Sequence, residues 1–372
     1  MIHILHICSD YSQQKLYNEL ILELSKSRIK QTVYVPVRSV SEIGKFDITS
    51  FGNIKVIYSH ILYFKHRLFF HSKIKTVLAD IEKKVDLNSV DIVHAHFLFS
   101  DGAVAYKIKS KYTIPYIVVV RNTDLNVFFK YMLHLKSLGR EIIKFSKKLV
   151  FITPAYKSSL MKRYLKAEFS NVILDSSLIP NGLDPIWFED SILNDMQFIA
   201  PLKLLYVGDF SKNKNVFQLL NLTRNLSKKI DVELTLAGGG GDCHESVLKL
   251  LNCKGFEFAK YIGRVEGIPA MKKLYRDHHV FIMISKLETF GLVYLEAMSQ
   301  GLPVIHTAGQ GIDGYFENSS FAIPINPNCE KDFFSAIEYI VNNYQTASSE
   351  GMEASKSFLW KNIATKYVNL YR

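Results

Sequence analysis

Residues 279–305 constrain the fold more tightly than any other part of the chain. The run VFIMI at 280–284 is wholly apolar, as expected of a short strand buried on both faces of a parallel sheet. A helix pattern follows and runs to Gly301, with apolar residues at 292, 293, 295, 297 and 298. Gly301 reads as the residue just past a helix end, and Pro303 opens LPVI, a second short buried strand. Similar strand–loop–helix units recur elsewhere. Strands are predicted at 2–8, 31–37, 91–96, 115–126, 149–153, 171–180, 203–207, 231–237, 279–285, 303–306 and 321–324. Helices are predicted at 13–27, 125–148, from Pro154 onward, and at 331–344 and 358–371, with 346–357 as a polar link. The pattern restarts at Lys203 after a turn-rich string at 179–184, IPNGLD. The expectation is α/β: two Rossmann-like doubly wound domains, with the boundary near 182–200.

The loop before the 292–299 helix carries chemistry. Glu288 and Glu296 are separated by seven residues, with Phe290-Gly291 between them. Glu288 falls before the helix and Glu296 one to two turns inside it. A helix N-terminus offers unpaired N–H groups and the positive end of its dipole, and glycine lets a ligand approach them. That suits a phosphate or pyrophosphate, flanked by two carboxylates. The plainer alternative is two solvated glutamates.

Charge is unevenly spread. Of 46 Lys+Arg and 35 Asp+Glu, 27 and 14 fall in residues 1–180, a net of +13; the remainder carries −2. A basic half suits an anionic partner: nucleic acid, an anionic bilayer surface or a phosphorylated acceptor. No nucleic-acid motif is present, which ranks that partner lowest. Residues 60–78, HILYFKHRLFFHSKIKTVL, mix aromatic and basic side chains. They read equally as an ordinary surface helix or as a segment lying in a membrane interface. No apolar run reaches about 18 residues, the length of a membrane span. MIHILHICSD enters a strand pattern directly, without a cationic leader. Cys8, Cys243, Cys253 and Cys329 lack metal-ligand spacing and suit a reducing compartment. His94 and His96 share one side of a strand, but without a third ligand at useful spacing no metal site is read there; they line the cleft at the strand's carboxyl end or pack in the core.

The string SKLETFGLVYLEAMSQGLPVI closely resembles the E-x7-E segment of the retaining GT-B glycosyltransferases of family 4. IPNGLD at 179–184 is similar to that family's entrance to its inter-domain linker. The resemblance implies two domains facing across a cleft: 1–182 binding acceptor, 183–355 binding a nucleotide sugar, and a terminal helix, 356–372, crossing back. It places Glu288 beside the donor sugar and Glu296 on the ribose. Thr289 and the amides of Phe290, Gly291 and Leu292 meet the diphosphate, while Gly208, Lys214, Gly239, Arg264 and Val265 complete the donor side. Arg121 and Asp124 match the strand-end motif near the reacting sugar, and Asp10 and His96 border the acceptor cleft. The chain departs from the family in three places. Ser9-Asp10-Tyr11-Ser12 replaces a Gly-Gly turn, and Asp10 or Ser12 is expected to cap the first helix. Arg121 stands where a His is usual. Asp209 stands where an Arg usually neutralises the diphosphate, with Lys212 as a partial substitute.

The implied activity is transfer of a sugar, with retention, from a nucleoside diphosphate sugar to an acceptor hydroxyl. A UDP-sugar is favoured, and neither cofactor nor metal is expected. Bacterial surface polysaccharide or lipopolysaccharide assembly fits, with a lipid-linked or oligosaccharide acceptor. The enzyme would be cytoplasmic, or peripheral on the inner face of the cell membrane. A nucleotide-sugar epimerase or hydrolase of the same architecture, and a non-catalytic partner subunit, are the alternatives.

Overall fold

A computed structural model describes every residue except 47, 49–51, 166–168 and 191–199. Much of the expected linker, 191–199, therefore lies outside the described residues. The chain divides into two compact units: Met1–Gly182 with Trp360–Arg372, and Leu183–Leu359.

The first unit is built on β1 (Ile2–Ile7), β2 (Ile29–Val37), β3 (Ile54–His60), β4 (Ile92–Ala95), β5 (Tyr116–Val120), β6 (Lys148–Phe151) and β7 (Ser177–Leu178). The second is built on β8 (Leu202–Gly208), β9 (Val232–Gly238), β10 (Ala259–Gly263), β11 (Val280–Met283), β12 (Val304–Thr307) and β13 (Ala322–Ile325). Every pairing is parallel, in the orders β3-β2-β1-β4-β5-β6-β7 and β10-β9-β8-β11-β12-β13. Burial explains the strand sequences. YIVVV of β5 and VFIM of β11 are covered on both faces and buried throughout. At the edge of its sheet, β10 alternates, exposing Lys260 and Ile262; a charged side chain there discourages further strand pairing. In both sheets the order reverses once, between β1 and β4 and between β8 and β11. Ligands of open α/β sheets bind beyond the strand ends at such a reversal.

Several local expectations change. The region 125–148 is not one helix. It is a π-helical turn at Asp124–Phe129, a 3-10 turn at Leu133–Leu135 and an α-helix at Lys136–Phe145. Phe128 and Phe129 stack against Phe99 and Tyr164, and this ring packing takes precedence over regular helix geometry. Residues 171–180 give a helix at Ser170–Leu174 and only two residues of strand. The expected link at 346–357 is instead mostly helix, Tyr344–Ser355, whose small residues Ala347, Ser348 and Gly351 are buried. Strand β3 carries no clear alternation because Val56, Ile57 and Tyr58 are all half-buried at the sheet edge.

The helix Trp360–Tyr371 packs within the first unit. Its Trp360 indole N–H donates to Glu19 Oε2 at 2.7 Å. The Tyr371 hydroxyl lies 2.8 Å from His94 Nδ1.

Candidate functional site

In the second unit, β8 and β11 deliver the expected residues to the carboxyl edge at the reversal. Strand β11 ends at Met283, and the loop beyond it carries Ser285 and Glu288. Glu288 is 8% exposed, yet it is well partnered. The Lys214 ammonium lies 2.8 Å from its Oε2, Ser285 Oγ donates to the same oxygen at 3.2 Å, and Thr289 N–H donates to Oε1 at 3.1 Å. The ion pair is enclosed but not sealed: the two side chains keep 20% and 10% of their surface. An enclosed pair of this kind is held by geometry and extra hydrogen bonds. Gln310 Oε1 accepts from Glu288 N–H at 3.1 Å, and Gly311 N–H donates to the Glu288 carbonyl at 3.2 Å. Asn213 clamps the same loop, accepting from Leu287 N–H and donating to the Leu287 carbonyl. Ser285, Gln310 and Asn213 escaped the sequence reading. Asn213 alone carried a signal, as the immediate neighbour of Lys214.

Gly291 is the N-cap of the helix Leu292–Ser299, with φ +80°, and a Cβ there would meet the Tyr294 ring at 2.5 Å. Its conformation turns the chain sharply into the helix, whose first N–H groups follow the buried Phe290. Glu296 lies one turn inside, half-buried, and its Oε2 accepts from the Tyr275 hydroxyl at 3.1 Å. Burial, then the neighbouring Glu296 carboxylate, pushes the Tyr275 phenol pKa well up, so it stays a donor.

The end of β9 closes on the end of β8. Gly239 N–H donates to the Gly208 carbonyl at 3.1 Å, and any Cβ at Gly238 would strike that carbonyl. Around this glycine loop stand Phe210, His244 and Tyr261, with ring centroids 5.5–5.7 Å apart. His244 Nδ1 accepts from Gly240 N–H at 3.2 Å; it too was missed. Arg264 and Val265 follow β10 on a loop, Arg264 exposed and Val265 half-buried. Asp209 is exposed, and its carboxylate closes a local turn by accepting from Ser211 N–H at 2.9 Å. Lys212 does not take the place of the missing Arg: its side chain is 82% exposed, 4.0 Å from Asp242.

In the first unit the expected residues are more deeply committed. Neither Asp10 nor Ser12 caps the first helix. That helix starts at Lys15, its N-cap is Gln14 and no side-chain cap is made. The Asp10 carbonyl instead accepts from the N–H groups of Gln13 and Gln14. Burial raises the Asp10 carboxyl pKa, against the pull of Lys73 and Arg121. Asp124 is fully buried and accepts three backbone N–H groups, from Arg121 at 2.8 Å, Phe99 at 3.0 Å and Leu98 at 3.1 Å. Burial lifts its pKa to about 6 even so. It ties the loop after β5 to the loop after β4. Arg121 is buried, donates to Asn181 Oδ1 at 2.8 Å and to the His96 carbonyl at 3.4 Å, and lies over the Tyr17 ring.

Of the two places expected for His96, it takes the core. It is buried with His6 and His94, so the third imidazole that spacing did not reveal comes from β1. His6 Nδ1 and His96 Nε2 are 3.2 Å apart, and His94 stacks on His96 with centroids at 4.1 Å and planes within 17°. Among the described residues, these three form the group spaced closely enough to consider for a metal ion. His6 is tilted by 46° to His94 and by 30° to His96, and His6 Nε2, His94 Nε2 and His96 Nδ1 have no hydrogen-bond partner. Burial, reinforced by neighbouring positive charge, holds His94 and His96 well below the ordinary histidine pKa. His6 falls to about 3, again chiefly by burial. The cluster is a neutral polar core beneath Arg121.

Residues 198–356, most of the second unit, match the family described as glycosyl transferases group 1. An uncharacterized glycosyltransferase of Methanocaldococcus jannaschii is 25% identical over 286 residues, 74% of each chain. A lipopolysaccharide outer core galactosyltransferase superposes over 100% of this chain and 99% of its own, with TM-score 0.76 and 16% identity. An Anabaena protein solved in complex with UDP does so over 99% of each chain, with TM-score 0.71 and 15% identity. The chain is a glycosyltransferase on a GT-B scaffold. In this glycosyltransferase, the group 1 match takes in the Lys214–Glu288 pair, the glycine loop and the Gly291 turn.

Proposed function

We propose that the second unit binds a nucleoside diphosphate sugar, a UDP-sugar by preference, and that the sugar is transferred with retention to an acceptor hydroxyl, as in family 4. The observation that carries this reading is the Lys214–Glu288 pair, placed at the strand-order reversal within the loop that leads into the Gly291-capped helix. A cation next to helix amides meets the charge of a departing diphosphate, and a carboxylate beside it meets positive charge at the reacting carbon. Lys214 then moves from sharing charge with Glu288 alone to sharing it with a phosphate oxygen. Glu296 would meet the ribose hydroxyls, with its carboxylate oriented by the Tyr275 hydroxyl. Transfer by this route uses positioning and charge, without a metal ion, and survives a chelator. Arg121 keeps its proton and serves as a fixed cation, not as a base.

The basic first half supports an acceptor at an anionic surface: a lipid-linked or oligosaccharide glycan in bacterial surface polysaccharide or lipopolysaccharide assembly, with the enzyme on the cytoplasmic face. No helix among the described residues is long and apolar enough to cross a membrane, so attachment would be peripheral. The test is a thermal shift of the purified chain with UDP-, GDP- and ADP-sugars, repeated on Lys214→Met. A UDP-sugar at 100 times its Kd adds about 2.7 kcal/mol of stability. The shift should shrink sharply in the variant. No stabilisation by any nucleotide sugar, or an equal shift in Lys214→Met, would sink the reading.

A further inference from the structure

The first unit exposes large apolar side chains in two segments distant in sequence. Tyr63, Phe64, Leu68 and Phe69 are 56–73% exposed; Tyr131 and Leu133 are 67% and 65% exposed. The first group follows the carboxyl end of β3 and the second follows β5, so both leave the same edge of a parallel sheet. The rings of Phe70 and Phe128 meet edge-to-face, with centroids 5.7 Å apart, which brings the two segments together. Soluble surfaces rarely gather this much apolar area without a partner.

Within the two segments the charge has one sign. No Asp or Glu occurs between Asp47 and Asp80, or between Asp124 and Glu141, whereas Lys65, Arg67 and Lys130 stand among the exposed apolar residues. None of these three cations makes an ion pair among the described residues. Lys130 lies 5.0 Å from the Tyr131 ring centroid. Aromatic and aliphatic side chains bordered by unpaired cations, without a single carboxylate in either stretch, complement a headgroup layer of negative charge over an apolar interior. A second protein surface would have to bury the same cations against matched carboxylates.

We infer that this surface docks the glycosyltransferase on an anionic bilayer, inserting Phe64, Leu68 and Phe69 from one segment and Tyr131 and Leu133 from the other. The proposed function took the anionic surface from the basic first half; the docking surface rests on that reading, deepens it with 63–69 and 127–133, and names the edge presented. The donor chemistry plays no part. Because Arg121 and Asp10 follow strands of the same sheet, the docked edge is also the edge that would receive a lipid-borne acceptor.

The test is co-sedimentation of the full chain with vesicles of phosphatidylglycerol and phosphatidylethanolamine, against vesicles of phosphatidylcholine alone. Binding should favour the anionic vesicles at least tenfold and weaken with salt, by about fivefold for each basic residue lost. Phe64→Ser with Phe69→Ser, and separately Tyr131→Ser with Leu133→Ser, should each lower binding by about tenfold or more. Lys65→Gln with Arg67→Gln should flatten the salt dependence. The UDP-sugar thermal shift reports folding in every variant and should not change. Equal binding to both vesicle types, no binding, or indifference to both serine pairs overturns the proposal. So does a stable dimer that Phe64→Ser with Phe69→Ser dissociates, since a second copy would then be the occupant. Vesicle binding without any nucleotide-sugar shift would leave the docking surface standing and remove the donor reading alone.

Discussion

The two sheets reverse strand order in the same way but fill the reversal differently. In the second unit the reversal holds an ion pair with part of its surface still open, a glycine-lined backbone and a helix N-terminus. In the first the charged groups are committed to neighbouring backbone and side chains. Asp124 is spent on three amides and Arg121 on Asn181 and a carbonyl, whereas the buried imidazoles keep His6 Nε2, His94 Nε2 and His96 Nδ1 without a hydrogen-bond partner. One edge keeps charge in reserve for a ligand, while the other uses charge to shape loops. Residue type alone does not distinguish them, since both contain a cation and carboxylates.

Substitution should separate the two edges most strongly. Glu288→Gln, or Lys214→Met, should lower the transfer rate by about 10²- to 10³-fold, the scale of losing one preorganised charge. Asp124→Asn should instead cost about 1–3 kcal/mol of stability, because an amide nitrogen now faces backbone N–H groups. Its kcat per folded molecule should stay within about threefold. Steady-state kinetics beside urea unfolding would decide; a kcat loss in Asp124→Asn equal to that of Glu288→Gln would erase the contrast.

Gly291→Ala comes next. The positive φ and the Tyr294 ring should together cost about 1–3 kcal/mol and displace the first helix amides. Donor affinity measured by calorimetry should fall by about tenfold. Unchanged affinity would remove those amides from the donor site.

The first unit should reveal itself through pH. Burial raises Asp101 to about 7 and Asp124 to about 6. Over pH 4 to 7 the folded chain therefore holds protons that the unfolded chain has released, so these two groups lower stability as pH rises. The buried histidines act oppositely. His6, near 3, stays neutral in the folded state while its unfolded counterpart takes up a proton below about 6.5, so its contribution grows as pH rises from 3 to 6.5. Asp101→Asn removes one falling contribution, and stability should then climb with pH more steeply than in the wild type, by up to about 1.4 kcal/mol per pH unit. Chemical denaturation between pH 5 and 6.5 measures it; parallel pH profiles would mean that Asp101 is ionised throughout.

The smallest effect is expected at Asp209→Arg. Losing the turn contact to Ser211 should cost no more than about 1 kcal/mol, while a second cation near Lys214 should tighten UDP binding by less than about tenfold. Weaker binding would show that the exposed carboxylate assists the site.

Much of this contrast was legible in sequence, and the rest was hidden for identifiable reasons. Parallel strands announced themselves because burial on both faces leaves runs such as VFIMI with no polar alternative. Glu288, Lys214 and Gly291 were marked by their motif. The Lys214–Glu288 contact bridges 74 residues, and no local pattern encodes that. His6 joins His94 and His96 only through the pairing of β1 with β4. The helix Tyr344–Ser355 read as a link because its buried face is made of small residues, which carry little hydrophobic signal. The break at 124–135 follows from ring packing with Phe99 and Tyr164, partners that periodicity does not count.

Trp360 and Tyr371 give the molecule an order of assembly. The second unit is contiguous in the chain, so everything its core needs has been synthesised once Leu359 has appeared. The first unit, although made first, lacks the Glu19 and His94 contacts until the helix Trp360–Tyr371 follows. The earlier half therefore stays incomplete until the helix Trp360–Tyr371 is released. A cut or a bulky fusion near residue 360 would therefore injure the part of the molecule made longest before it.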